Sequence, residues 1–272
     1  MSFREKLEAA CAANGSLLCV GLDPRPGPLP LDDILAFNRA IIDATADLVC
    51  AYKPNAAFYE ARGLDGWQAL RDTVAAVPSH IPVILDAKRG DIANSAAAYA
   101  QAAFDVLGAD AVTVAPYMGA DSVLPFLERP DRAAFILCRT SNPGAADLQE
   151  LDVDGEPLYL RVAQLAGDWG ATHHNTGLVV GATDPAALRA VRARCPALPI
   201  LLPGIGAQGG DLAAAVAAGV DADGAGLLIS ASRSILYASD GPDFADAARA
   251  EALRLRAAIN QAIDDALAAR PS

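Results

Sequence analysis

Four charges of both signs fall within six positions, Asp86-Ala87-Lys88-Arg89-Gly90-Asp91, directly after the apolar run 81–85. Charges at the end of a buried element are costly unless paired, and pairs held there commonly have a task. In a strand, Asp86 and Lys88 are two apart and point to the same side. Lys53 ends another apolar run, "DLVCAYK", so one aspartate and two lysines can meet at one end of neighbouring strands. A carboxylate beside a buried ammonium favours the charged form, so lysines in such a set stay cationic. At about 4 Å and an effective dielectric of about 20, each opposite pair is attracted by roughly 4 kcal/mol. The chemistry that follows is acid catalysis. A lysine protonates a developing carbanion while the carboxylates disfavour a substrate anion in the ground state. No metal or organic cofactor is required. Asp91, past Gly90, falls where a helix begins, and its simplest role is an N-cap. Arg89 is expected to face away from Lys88 and to form a structural ion pair.

A second set suits a phosphate. "LLPGIGAQGGDL" and "LISASRSILYA" each follow an apolar run. The Pro203–Gly204 turn, with Gly206, Gly209 and Gly210, permits close backbone approach to a ligand. Gln208 can donate an amide N–H and Arg233 a bidentate, charge-assisted contact.

The elements that must hold these groups form one repeated alternation. Short β-branched or Leu-rich runs occur in "SLLCVGLD", "DLVCAYK", "IPVILDAK", "ADAVTVAP", "AAFILCR", "TGLVVGAT", "LPILLPG" and "GAGLLIS". Between most of them lie Ala-rich stretches with helical spacing, such as 31–46 and 211–218. Strand and helix in alternation demand a parallel sheet. Eight units predict an α/β protein, a single (β/α)8 TIM barrel spanning 1–272. A doubly wound sheet would need a glycine fingerprint after the first strand, where the chain has "GLDPRPG" instead. "SNPGAADLQELDVDGEPL" is expected to be a long loop after the fifth strand. The stretch 244–269 is expected to be an amphipathic helix that closes the ring. In this fold the site lies at the C-terminal strand ends, with phosphate bound by the loops after strands seven and eight. Those ends carry Asp23, Lys53, Asp86, Lys88, Tyr117, Thr140, Ser141, Thr183, Pro203 and Arg233.

Composition narrows the classes. With 33 acidic against 21 basic residues the net charge is -12, without a basic block, which argues against a nucleic-acid groove or a basic membrane face. Five widely spaced cysteines (Cys11, Cys19, Cys50, Cys138, Cys195) without a CxxC pair suggest reduced, buried thiols and a cytoplasmic location. The N-terminus lacks a secretory apolar core, and no apolar run is long enough to cross a bilayer. His80, His173 and His174 are not spaced as metal ligands. Trp67 and Trp169 are expected to pack helices.

"LDAKRGDI", with "YKPN" upstream and "PGIGAQGGD" and "SASRSILYA" downstream, resembles the orotidine 5'-phosphate decarboxylases. The resemblance runs from "GLDPRP" to the eighth strand, and the chain length and "TSNPGA" loop are similar to those of the longer bacterial subgroup. It implies conversion of orotidine 5'-phosphate to uridine 5'-phosphate and carbon dioxide, a step of pyrimidine biosynthesis, without a cofactor. By position, Lys53, Asp86, Lys88 and Asp91 match the family's charged tetrad, with Lys88 the proton donor to C6. Asp91 is implied to reach the neighbouring subunit's site, making a homodimer the working unit. Asp23 and Lys53 are implied to contact ribose hydroxyls, Ser141 the pyrimidine amide, and Gln208 and Arg233 the phosphate. Two positions depart from the motif. Ala93 stands where Gly or Pro is usual. Ser95 stands for Thr and keeps the hydroxyl of a ribose contact.

Other activities are open to a barrel of this kind. A magnesium-dependent sugar-phosphate synthase or epimerase of the same suprafamily would lose activity to a chelator. A Schiff-base aldolase using Lys53 or Lys88 would be trapped by borohydride. A phosphate-binding barrel without catalysis would turn nothing over.

Overall fold

A computed structural model describes residues 1–25, 29–31, 33–205 and 211–270. The apolar runs become eight parallel strands: β1 (Leu18–Leu22), β2 (Ala51–Pro54), β3 (Ile84–Arg89), β4 (Ala111–Val114), β5 (Ala133–Arg139), β6 (Thr176–Val180), β7 (Ile200–Pro203) and β8 (Leu227–Ala231). Their order is β2-β1-β8-β7-β6-β5-β4-β3, and single parallel bridges between Tyr52 and Val83 and between Asn55 and Asp86 join the two ends. Closure removes both sheet edges. Strands covered on both sides must read as continuous apolar runs, and β1, β2, β4, β6 and β8 are buried along their whole length.

Two apolar layers result. The larger lies between strands and helices, and a smaller one fills the barrel around Cys19, Ile84, Phe135, Val179, Leu201 and Leu228. The N-terminal helix Phe3–Asn14 inserts Phe3 and Leu7 into that inner layer, with Phe3 edge-on to Phe135 at 5.7 Å. Burying two such side chains contributes about 1.5–3 kcal/mol each. Lys6 Nζ fixes the helix to both oxygens of Asp110, just before β4, at 2.8 Å. The floor at the N-terminal strand ends is therefore plugged, and the opposite mouth stays open.

The expected closing helix is Phe244–Ala268. It packs on helices Ile34–Thr45 and Leu212–Gly219, which start at the N-caps Asp33 and Asp211. Phe244 stacks on Phe37 at 5.3 Å, and Arg249 pairs with both oxygens of Asp47. The long polar connection after β5 carries more structure than expected. It holds a 3-10 turn, Pro143–Asp147, and a two-stranded ribbon of Asp152–Val153 with Glu156–Pro157. Asp154 and Gly155, both at positive φ, make the two-residue turn that an Asp-Gly pair favours. Among the described residues the cysteines are free thiols, with Cys11 half-buried and the others buried. No described helix is long and apolar enough to cross a membrane.

Candidate active site

The end of β3 is not a regular strand. Leu85 pairs with Val112 and Arg89 with Val114, so Asp86, Ala87 and Lys88 stand opposite Thr113 alone. Within this bulge Lys88 has φ 48, a left-handed conformation that costs an L-residue about 1–2 kcal/mol. Thr113 compensates. Its hydroxyl accepts the Lys88 backbone N–H at 2.9 Å and donates to Asp86 Oδ1 at 2.9 Å. Asp86 and Lys88 do reach the same side, as their spacing predicts, but through a bulge rather than an even pleat.

Asp86 is the centre of the cluster. Oδ1 accepts Lys88 Nζ at 2.6 Å, and Oδ2 accepts Lys53 Nζ at 3.2 Å. Lys53 and Asp86 are 5% and 9% exposed, too buried to be held by solvent alone. Burial pushes the Asp86 carboxyl up, but the ammonium groups of Lys53 and Lys88 outweigh it and hold it well below 3.8. Burial likewise lowers Lys53, and the charges of Asp86 and Asp23 more than reverse this, raising it above 10.5. At 3.2 Å and an effective dielectric of about 20 the Lys53–Asp86 attraction is roughly 5 kcal/mol gross, set against the cost of desolvating both ions. The cluster thus holds two cations and one anion, and the Lys88 side chain, half exposed, faces the mouth.

Asp23, just past β1, forms the adjacent part. Its Oδ1 accepts the Asn55 backbone N–H at 3.1 Å and its Oδ2 the Ser232 hydroxyl at 2.6 Å. A Cβ on Gly21 would lie 1.9 Å from Ser232 Oγ, so only glycine leaves room for this pair. A cavity of about 240 Å³ lies over Asp23, Lys53, Asn55, Pro203 and Arg233. A second, of about 530 Å³, is lined by Asp86, Lys88, Thr113 and Ser141 and shares Lys53, Asn55 and Pro203 with the first. The two form one continuous bowl, with an ion cluster between a Ser141 end and an Arg233 end.

Ser141 follows a tightly held residue. The Thr140 N–H donates to Gln149 Oε1 at 2.8 Å, its hydroxyl accepts Gln149 Nε2 at 2.8 Å, and its carbonyl accepts Arg139 Nη1 at 2.6 Å. Gly181 admits the turn, since a Cβ there would sit 2.8 Å from Ser141 Cβ.

Lys53, Asp86, Lys88, Asp23, Ser141, Pro203 and Arg233 therefore gather around the bowl. Gln208 and the glycines 206, 209 and 210 lie outside the described residues. Asp91 does not line the bowl; its carboxylate accepts the Ile92 N–H at 2.8 Å. The helix beyond it, Ala93–Gln101, has Ile92 as N-cap residue and no side-chain cap, so Asp91 does not fill the capping role its position suggests. Ser95, on the first turn of that helix, is exposed away from the bowl, as are Tyr117 and Thr183. Arg89 turns from Lys88 to pair with Glu60 at 2.5 Å. Trp67 and Trp169 both lie on helices, and the described residues hold no group of three or more His, Cys, Asp or Glu that could bind a metal. Thr113, Asn55, Ser232 and Gln149 are site residues that motif spacing did not single out. Thr113 had one signal, a hydroxyl inside the apolar "AVTV".

Residues 16–248 match the family model described as orotidine 5'-phosphate decarboxylase / HUMPS family. The orotidine 5'-phosphate decarboxylase of Herpetosiphon aurantiacus is 57% identical over 254 residues, covering 91% of this chain and 94% of that one. That of Thermomicrobium roseum is 57% identical over 269 residues, 96% of each. Among solved structures, Leishmania donovani OMP decarboxylase superposes with a TM-score of 0.88 at 47% identity, covering 97% of this chain and 99% of its own. Leishmania donovani UMP synthase gives 0.89 at 48% identity, covering all of this chain and 58% of its own. With its barrel, its lysine–aspartate cluster and these relatives, the chain belongs to the orotidine 5'-phosphate decarboxylase / HUMPS family.

Proposed function

We propose that the chain decarboxylates orotidine 5'-phosphate to uridine 5'-phosphate and carbon dioxide, with Lys88 as the acid and no cofactor. The observation that carries this is the Asp86 carboxylate with an ammonium on each oxygen, Lys53 at 3.2 Å and Lys88 at 2.6 Å, inside the bowl. With the phosphate toward Arg233 and the pyrimidine amide toward Ser141, the substrate carboxylate comes against Asp86. Their repulsion raises the ground state, and binding energy from the remote phosphate offsets it. The bond from C6 to the carboxyl carbon breaks, its electron pair stays on C6, and carbon dioxide leaves. An N–H of Lys88 then gives its proton to C6, and solvent at the mouth reprotonates the lysine. Asp23 and Lys53 hold ribose hydroxyls, and Pro203 packs where the two parts of the bowl meet. Because both oxygens of Asp86 already carry ammonium groups, a divalent cation would have to displace them. The test is the loss of orotate-type absorbance on adding enzyme to orotidine 5'-phosphate. Equal loss with and without chelator is expected; no loss, or loss only without chelator, contradicts the proposal.

The same proposal includes a homodimer in the cytoplasm, where free thiols stay reduced. Asp91 forms no ion pair among the described residues, Ile92 beside it is 50% exposed, and Ser95 also faces outward. These three suit a partner's bowl rather than their own. Mixing Lys88→Ala with Asp91→Asn chains should restore activity, because one site of each heterodimer then has both groups intact. No recovery in heterodimers shown to form would contradict a shared site.

A further inference from the structure

We propose that Arg89 is a positioning residue for Lys88 and acts through its ion pair with Glu60. This rests on Lys88 being the acid of the proposed decarboxylation. Lys88 sits at φ 48 in a bulge, and a conformation of that kind persists only where its neighbours over-determine it. On the upstream side Thr113 fixes both Asp86 and the Lys88 N–H. On the downstream side the fixing residue is Arg89. Its carbonyl accepts the Ala115 N–H at 2.7 Å, its Nη2 meets Glu60 Oε1 at 2.5 Å, and its guanidinium lies over the Tyr99 ring at 5.0 Å.

The partners explain why this bracket bears on the site. Glu60 ends the short helix Ala56–Glu60, whose N-cap Asn55 donates its backbone N–H to Asp23 and bridges to Asp86. Tyr99 lies on helix Ala93–Gln101, directly after Asp91. One guanidinium therefore ties the Lys88 bulge to the Asp23 side of the bowl and to the helix that follows Asp91. Arginine suits the task because its edge can pair with a carboxylate while its face stacks on an aromatic ring; lysine cannot do both in this way. The side chains of Arg89 and Glu60 are 23% and 34% exposed and neither lines the bowl, so the pair reaches the chemistry only through the geometry of its neighbours.

The test is steady-state kinetics on Arg89→Gln, Glu60→Gln, their double variant, Arg89→Lys, Arg89→Glu and the charge swap Arg89→Glu/Glu60→Arg, each with its melting temperature. Glu60 lines neither part of the bowl, so its variant probes the bracket without touching substrate. Arg89→Gln and Glu60→Gln should each lower kcat about 10- to 100-fold with KM within about threefold, the penalty of a misplaced acid. The double variant should fall no further than the worse single one, and the swap should recover at least about tenfold over Arg89→Glu. Arg89→Lys should fall between wild type and Arg89→Gln. Should Arg89→Gln fail to fold, Glu60→Gln decides alone. Wild-type kcat in Glu60→Gln, losses that multiply in the double variant, or a change confined to KM would overturn the bracket. Absence of turnover in the wild-type chain would instead remove the decarboxylation on which it rests.

Discussion

Thr113→Val removes one oxygen from the centre of the cluster and leaves a side chain of the same shape. That oxygen donates to the Asp86 carboxylate and accepts the Lys88 N–H, each at 2.9 Å. A hydrogen bond to a charged group contributes about 1.5–3 kcal/mol, and an amide left without an acceptor in a partly buried site costs about 1 kcal/mol or more. The expected destabilisation is thus about 3 kcal/mol. At about 2–4 °C per kcal/mol for a chain of this size, the melting temperature should fall about 6–12 °C. Turnover should fall with it, since both the carboxylate and the bulge that aim Lys88 lose their common support. Thr113→Ser is the control: it keeps the hydroxyl, loses one methyl and should cost about 1 kcal/mol with kcat nearly unchanged. Thermal unfolding and steady-state turnover on the two variants make the comparison. A Val variant within about 0.5 kcal/mol of wild type and with wild-type kcat would refute the role given to Thr113.

Ala93 has φ 50, so Ala93→Gly should relieve strain and raise stability by about 1 kcal/mol, read as a melting temperature higher by about 2–4 °C. Gly21→Ala would drive a Cβ to 1.9 Å from Ser232 Oγ and should part the Asp23–Ser232 pair, raising KM in steady-state assays. The Asp86 carboxyl is held below its ordinary 3.8, so its contribution to stability is full above that pH and is lost as pH falls through the lower folded value. Lys53 is held above 10.5, so its contribution is full below that pH and is lost as pH rises through the higher folded value. Circular dichroism against pH should place the acid transition of Lys53→Met higher than that of wild type, because Asp86 then keeps one cation in place of two.

The barrel was legible because parallel strands buried on both faces must be written as apolar runs, and eight such runs alternate with helical stretches. The Lys53–Asp86–Lys88 cluster was legible for a related reason, since charges ending such runs stand out. What could not be read arises from contacts between distant segments. Thr113 lies 27 positions from Asp86, and Glu60 lies 29 from Arg89. The hydroxyl inside "AVTV" marks Thr113 as unusual, but nothing local says what either residue pairs with. The left-handed Lys88 and the bulge around it follow from those contacts rather than from residue type, as lysine rarely adopts such a φ. Asp91 shows the opposite case. Its place before a helix suggested a cap, but Ile92 stands at the N-cap and leaves that carboxylate at the surface. The plug made by Phe3 and Leu7 was equally hidden, because a charged amphipathic helix reads the same whether it covers a barrel's side or its floor.

The proton delivered to C6 is assigned to Lys88, held on Asp86. The most direct test of this assignment is single-turnover conversion of orotidine 5'-phosphate by wild type and Lys88→Ala, matched for folded protein and for affinity toward uridine 5'-phosphate. Wild type should convert the substrate completely, and Lys88→Ala should be at least about 10³-fold slower with product affinity retained. A Lys88→Ala enzyme that turns over near the wild-type rate would contradict the assignment.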